Sequence, residues 1–247
     1  MYRFPDHVLK EFKSKVDEAL RDRKCNPIAA FDADGTLWAS DVGENFFKYQ
    51  FKNELLKGLP ADPWAYYQNM YANERSKCYL WLAQINRGVP IEQVRKWARE
   101  SVKIHLNDMG EFNGQKEFIS YLHKKGVKVY IVTASVKWAV EPAAELFQIP
   151  PENVIGIETK IENGLVTDEQ VGPITHGTGK VDGLLEKTGG KHPFLAAGNT
   201  QSDRALVESA THLKLVIGSA PQDHEHFETE QFMQNLAKEK GWLSYQF

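Results

Sequence analysis

The sequence predicts an α/β fold, a doubly wound parallel sheet with an inserted α-helical cap. Three observations carry that expectation. Residues 28–31, 127–132, 194–197 and 213–217 are short apolar runs bounded by Gly, Asp or Thr, as buried strands are. Helical periodicity separates most of these runs, and such alternation builds a parallel sheet with helices on both faces. The rhythm breaks between Glu44 and Met109, where three helical patterns follow one another with no strand among them.

Taken in order, apolar residues at Val8, Leu9, Phe12, Val16 and Leu20 give helical spacing across 4–24. Asn26-Pro27 stops that helix before the first strand. The insertion reads as helices over 44–57, 63–86 and 90–107. The second has Asp62 to cap it, Pro63 in its first turn and Gly88 just past its end. Further helices are expected over 114–125, 136–147, 180–188 and 202–210. Between 155 and 171, Glu162-Asn163-Gly164 separates two β-rich runs, a hairpin signal. The tail, 222–247, is acidic and then amphipathic, so a closing helix is expected to pack through Phe232, Leu236 and Trp242. The domains that follow are a discontinuous catalytic core, 1–42 and 111–247, and a helical cap, 43–110.

Composition narrows the partners. The chain has 247 residues, 42% hydrophobic and 26% charged, which is ordinary for a globular protein. Thirty Lys+Arg against 33 Asp+Glu leave a net charge of -3, with no basic footprint for nucleic acid. The longest apolar runs are strand-sized, far below the ~20 residues of a membrane span, so no membrane partner is expected. Residues 1–27 carry seven Lys/Arg and five Asp/Glu without an apolar run, so no secretory leader is read and a cytoplasmic location is expected. Cys25 and Cys78 lie 53 residues apart and read as free packing thiols.

The chemistry concentrates at strand ends. FDADGTL, 31–37, stands where the first strand gives out. Side chains alternate along a strand, so Asp32 and Asp34 leave it on the same side and converge at the carboxyl edge of the sheet. One carboxylate there can act as a nucleophile while the other exchanges a proton with the leaving group. Gly35 and Thr36 allow the sharp turn that follows and stand beside any bound phosphate. Thr133, with the N–H groups of Ala134 and Ser135, would form a phosphate cradle at a strand-to-helix junction. Lys180 opens a helix after a Gly-rich loop and can neutralise an anionic transition state. In AAGNTQSDRAL, Asn199, Ser202 and Asp203 supply oxygens that suit a hard cation such as Mg²⁺.

With these residues in order, the chain resembles the haloacid dehalogenase superfamily of aspartate-nucleophile phosphohydrolases. NPIAAFDADGTLW, VYIVTASVKWAVEPAA and GKVDGLLE are similar to its phosphoserine phosphatase-like and phosphorylcholine phosphatase-like branch, over roughly 27–217. The resemblance implies Asp32 as the nucleophile and Asp34 as general acid and then base. It implies Thr133 on a phosphoryl oxygen, Lys180 on the developing charge, and Asp32, Asp34, Asn199 and Asp203 around Mg²⁺. It also makes the insertion the family's small helical cap. Asp34 favours phosphate chemistry over dehalogenation, because a halide needs no proton on departure and an alkoxide does. Asn199 departs from the pattern, since many relatives have Asp there. One negative charge leaves the site, and weaker Mg²⁺ affinity is expected, with Asp203 taking more of the electrostatic role.

The expected substrate is a small phosphorylated metabolite. Residues 38–81 hold 11 of the chain's 28 aromatics, which a three-helix cap needs for its own core. The sharper alternative is that some of Trp38, Phe46, Phe47, Tyr67, Tyr71 and Trp81 face the site and take a quaternary ammonium. Asp41 and Glu44 stand where phosphoserine phosphatases hold the substrate amine, Arg75 or Arg87 would suit a carboxylate, and His176 lies four residues before Lys180. Two rival functions stay open on sequence: a non-catalytic or weakly active phosphate-ligand sensor on the same fold, and a phosphotransferase.

Overall fold

In the computed structural model, which describes residues 2–106 and 109–247, β1 (Ile28–Phe31), β2 (Lys128–Val136), β3 (Val154–Glu162), β4 (Leu165–Val171), β5 (Leu195–Gly198), β6 (Leu213–Gly218) and β7 (Leu243–Gln246) form one sheet. Its order is β4-β3-β2-β1-β5-β6-β7. Only the β3–β4 pairing is antiparallel. β1 lies between β2 and β5, with Phe31 in register with Ile131 on one side and Ala197 on the other. The chain builds outward from β1 in both directions, and the crevice at its carboxyl end is a topological switch point.

β1 is buried on both faces. Ala29 and Phe31 face a core shared with α1 (Asp6–Ala19) and α6 (Asn113–Lys124). Ile28 and Ala30 face a second layer with α8 (Gly179–Thr188) and α9 (Arg204–Glu208). This is why the strand reads as a continuous apolar run.

The insertion comprises α2 (Val42–Lys52), α3 (Pro63–Asn73), α4 (Arg75–Gln84) and α5 (Ile91–His105). The single helix expected over 63–86 is two: Glu74, at φ -144 and ψ 56, breaks it. Apolar spacing continues across the break, so periodicity alone does not register it. α2 stops at Lys52, short of 57, and the third helix was expected to reach Asn107, which lies outside the described residues. Asp41 caps α2 through the Glu44 N–H, and Asp62 caps α3 through Ala65. Phe46, Phe47, Tyr67, Leu82, Val94 and Ala98 do not close a core of their own. Their cluster runs on into Val136, Trp138, Ala139 and Ile157 of β2, α7 (Lys137–Glu145) and β3.

Other boundaries differ from expectation. Val136 ends β2 instead of opening α7. Asn163 and Gly164 turn the hairpin at φ 52 and φ 80, as a two-residue loop requires. That hairpin is not separate, because β3 joins the main sheet and β4 forms its edge. The closing helix exists as α10 (Phe227–Lys240), but Phe232 is 40% exposed and does not pack. Met233 and Leu236 do, against Val207 and Val216, with Trp242 alongside. β7 was not foreseen. It is held by Tyr245 and the following Phe247 against Tyr2, Phe4 and Phe112. Among the described residues no helix is long and apolar enough to cross a membrane.

Candidate active site

A cavity of about 540 Å³ opens at the carboxyl end of β1, lined by Asp32, Asp34, Asp41, Thr133, Ala134, Ser135, Lys180, Asn199, Ser202 and Asp203. Three separate strand ends, of β1, β2 and β5, and one helix start, of α8, therefore meet at the switch point. Asp32 is fixed from three sides. Its N–H donates to the Ala197 carbonyl at 2.9 Å, Lys180 Nζ donates to Oδ1 at 2.6 Å, and the Thr36 hydroxyl donates to Oδ2 at 2.9 Å.

Lys180 is 2% exposed and lies between two carboxylates, with Asp203 Oδ1 at 2.5 Å. It reaches that depth from the first turn of α8, whose Gly179 passes so close to Ile174 that a Cβ would stand 2.0 Å from the carbonyl oxygen. Burial works against the ammonium, but the charges of Asp203 and Asp32 outweigh it and hold Lys180 above the ordinary lysine range. Burial also opposes the Asp203 charge, yet Lys180 and the Thr200 donors keep its carboxyl below the ordinary range. Two carboxylates share one ammonium, and the strain falls on Asp32. Burial and the Asp203 charge push its carboxyl up to about 7, against the pull of Lys180.

Asp34 is differently held. Its Oδ1 accepts from Trp38 Nε1 at 2.7 Å and from the Val42 N–H at 2.9 Å, and its Oδ2 accepts from the Ser135 hydroxyl at 2.7 Å. Burial nevertheless keeps its carboxyl above the ordinary range. That is the direction a proton donor needs.

Several expected roles change. Gly35 and Thr36 are not phosphate ligands through their N–H groups, which donate to the carbonyls of Trp38 and Ala33. The Thr36 side chain instead serves Asp32. Ala134 and Ser135 lie at the strand-to-helix junction as expected, but in an irregular stretch of β2 where the register with β3 shifts, just before the Val136 cap of α7. The Ser135 hydroxyl is bound to Asp34, and its N–H donates to Thr133 Oγ1 at 3.0 Å. Asp203 reaches the site, but its oxygens are taken by Lys180 and by the 199–200 segment, so it holds the lysine and the loop. Glu44 turns into the insertion, bonded to Tyr67 and Lys48.

The remaining walls join three residues the sequence singles out, Tyr71, Arg75 and His176, to others it does not mark, Tyr79 and the 225–229 segment. Tyr71, Arg75, Tyr79 and His176 form one side; Glu225, His226, Glu228 and Thr229 form another. Of the six aromatics singled out, only Tyr71 lines this cavity. Trp38 touches Asp34, while Phe46, Phe47 and Tyr67 are insertion core and Trp81 lines a separate cleft with Pro60. Arg75 is here, and Arg87 pairs with Asp168 elsewhere. Burial, with Lys180 and Arg75 nearby, holds His176 below the ordinary imidazole range.

Among the described residues no group of three or more His, Cys, Asp or Glu is poised as a metal centre. The oxygens present fit Mg²⁺, which takes one or two carboxylates and keeps water and substrate oxygens for the rest. The Thr36 hydroxyl has one proton for two acceptors, Asp32 Oδ2 at 2.9 Å and Asn199 Oδ1 at 3.4 Å. Two buried oxygens thus converge on one hydroxyl with less than one donor each.

The model of haloacid dehalogenase-like hydrolases matches residues 29–208. The chain belongs to that family. The match runs from β1 to the end of α9 and contains Asp32, Asp34, Thr133, Lys180, Asn199 and Asp203. The chain is also 24% identical over 173 residues to the phosphorylcholine phosphatase of Pseudomonas aeruginosa, with 55% of this chain covered. It spans only 50% of that relative's length. A functionally unknown protein of Anaerococcus prevotii has a TM-score of 0.69 at 15% identity, over 96% of this chain and 90% of that one. A phosphoserine phosphohydrolase-like protein of Francisella tularensis has a TM-score of 0.54 at 19% identity, over 88% and 94%. These likenesses are of fold, and they place this haloacid dehalogenase-like sheet among solved examples of the same architecture.

Proposed function

We propose that the chain is a Mg²⁺-dependent phosphomonoesterase that passes the phosphoryl group of a small metabolite through Asp32. The observation that carries this reading is the meeting of Asp32, Asp34 and a buried Lys180 in one cavity at the switch point. Asp32 attacks phosphorus and the ester oxygen departs; Asp34, protonated, gives that oxygen its proton. Lys180, fully charged, stabilises the negative charge on the transferring oxygens. Asp34, now a carboxylate, takes a proton from the water that cleaves the aspartyl-phosphate. Asp32, the Asp34 carbonyl and Asn199 Oδ1 would hold Mg²⁺, which neutralises phosphate charge when bound. The helices α2–α5 would act as the cap over this site.

The substrate group is read from Asp41. It lines the cavity, stands beside Asp34 and Glu44, whose negative charges push its carboxyl up, and has no ion-pair partner among the described residues. A cationic group would relieve that repulsion, and the Tyr71 and Tyr79 rings, 6.1 Å apart, suit an ammonium face. The Pseudomonas aeruginosa relative, named for phosphorylcholine, supports that choice. Arg75 favours a second reading: stacked on Tyr71 at 4.7 Å and without an ion pair among the described residues, it suits the carboxylate of a phosphoserine-like substrate.

Hydrolysis of p-nitrophenyl phosphate is expected to require Mg²⁺ and to vanish in Asp32→Asn. A sensor would show no turnover, and full activity in Asp32→Asn would sink the nucleophile. Comparing phosphocholine with phosphoserine then separates the two substrate readings. Asp41→Asn should raise KM for both, and Arg75→Ala only for phosphoserine.

A further inference from the structure

Glu230 belongs to α10, beyond the 29–208 stretch that carries the family pattern, and is 2% exposed. Its Oε2 accepts from the N–H groups of Ser219 and Ala220, both at 2.8 Å. Its Oε1 accepts from Asn199 Nδ2 at 2.8 Å. A carboxylate can only accept, so the end of the Asn199 side chain that faces it must be the NH₂. The amide oxygen is thereby turned the other way, toward the Thr36 hydroxyl that also serves Asp32. Gly35 makes room for this arrangement: at φ +80, a Cβ there would stand 1.9 Å from Asn199 Nδ2.

We propose that Glu230 is a positioning residue that locks the Asn199 amide with its oxygen in the cation cradle beside Asp32, and returns from one hydrogen bond away the negative charge that Asn in place of Asp leaves out. This rests on the Mg²⁺-dependent reading above. It also reverses the expectation that Asn199 simply weakens the site. Hydrogen bonding to an anion polarises the amide and makes its oxygen a better cation ligand.

The lock predicts a specific pattern of variants. In Glu230→Gln, the Ser219 and Ala220 N–H groups hold the new amide by its oxygen, so its NH₂ faces Asn199. Asn199 must then flip and present NH₂ to the cradle. In Asn199→Asp, two carboxylates face each other at hydrogen-bond distance. In the double variant the Gln NH₂ donates to one Asp oxygen, the other oxygen faces the cradle, and the total charge is that of the wild type.

Calorimetric titration of Mg²⁺ into the full chain tests this without turnover. Each single variant should lose affinity by about 10-fold or more, as loss of an outer partner of a metal ligand does. The double variant should return to within about threefold of wild type, a non-additivity expected only of groups in contact. In metal-free protein, the Asn199 side-chain NH₂ signals should move in Glu230→Gln. Wild-type Mg²⁺ affinity in Glu230→Gln, no recovery in the double variant, or unmoved NH₂ signals would each overturn the lock while leaving the phosphatase reading. A wild type that binds no Mg²⁺ would overturn both. If Glu230→Gln alone fails to fold, the double variant carries the test.

Discussion

Asp34 accepts three hydrogen bonds and yet has its carboxyl raised by burial. That pairing suits a group that must hold a proton and still keep its direction. Its value depends on the leaving group. Asp34→Asn should slow an alkyl phosphate by about 10²- to 10⁴-fold, the usual worth of general acid catalysis. p-Nitrophenolate leaves without a proton, so the same variant should slow the phosphorylation of Asp32 by that substrate far less; equal losses on both substrates would remove the acid role. Asp32 carries a pH signature of its own. In the folded protein it keeps its proton up to about 7, whereas an unfolded aspartate releases it near 3.9. The folded state binds the extra proton across that window, so this stability is full below about pH 4 and is lost as pH rises through 7. The metal-free Tm should therefore fall between about pH 5 and 8, and Asp32→Asn, which cannot ionise, should flatten part of that fall. Asp34 shifts in the same direction and adds to that fall, while His176, held below its ordinary range, works against it. Parallel curves would refute the assignment. The acids and Lys180 were legible because strand ends and helix starts mark themselves in sequence. Glu230 was not, since nothing about a glutamate on an acidic amphipathic helix says that its side chain points inward 31 residues from its partner.

Elements show the same division between local and distant causes. Each core strand that the sequence foresaw is a run whose neighbours bury both faces, so composition alone defines it. β7 escaped because its four residues alternate in burial and depend on Tyr2, Phe4 and Phe112 from other parts of the chain. The break at Glu74 escaped because apolar spacing bridges it. The β1–α2 turn is the element on which most of the site depends. Gly35 turns it at φ +80, donates its N–H to Trp38 at 2.7 Å, and leaves the Asn199 amide its space. Gly35→Ala combines left-handed backbone strain of about 1 kcal/mol with a forced displacement of Asn199. Expected are a Tm lower by several degrees and weakened Mg²⁺ binding, with far-UV circular dichroism unchanged. Wild-type Mg²⁺ affinity in that variant would show that the close approach is not needed.

At the scale of the whole molecule, the insertion is welded to the sheet along one side and open along the other. Its apolar core passes without a gap into Val136, Trp138, Ala139 and Ile157, and Arg95 of α5 pairs with the buried Glu141 of α7 at 3.0 Å. The open side is where Tyr71, Arg75 and Tyr79 face Glu225, His226 and Glu228 across the cavity. Substrate entry should then involve α3, α4 and the 224–229 segment, while the α5–α7 seam stays closed. The seam also predicts how the protein melts. Trp138 is 1% exposed within the shared cluster, and Trp138→Ala should cost about 3–5 kcal/mol. With roughly 2–4 °C per kcal/mol for a chain of this size, Tm should drop by about 6–20 °C. Because that side chain belongs to both parts, the loss should lower one common transition. Calorimetry decides this: two transitions, with only one displaced by Trp138→Ala, would mean that the insertion folds by itself and could swing as a separate lid.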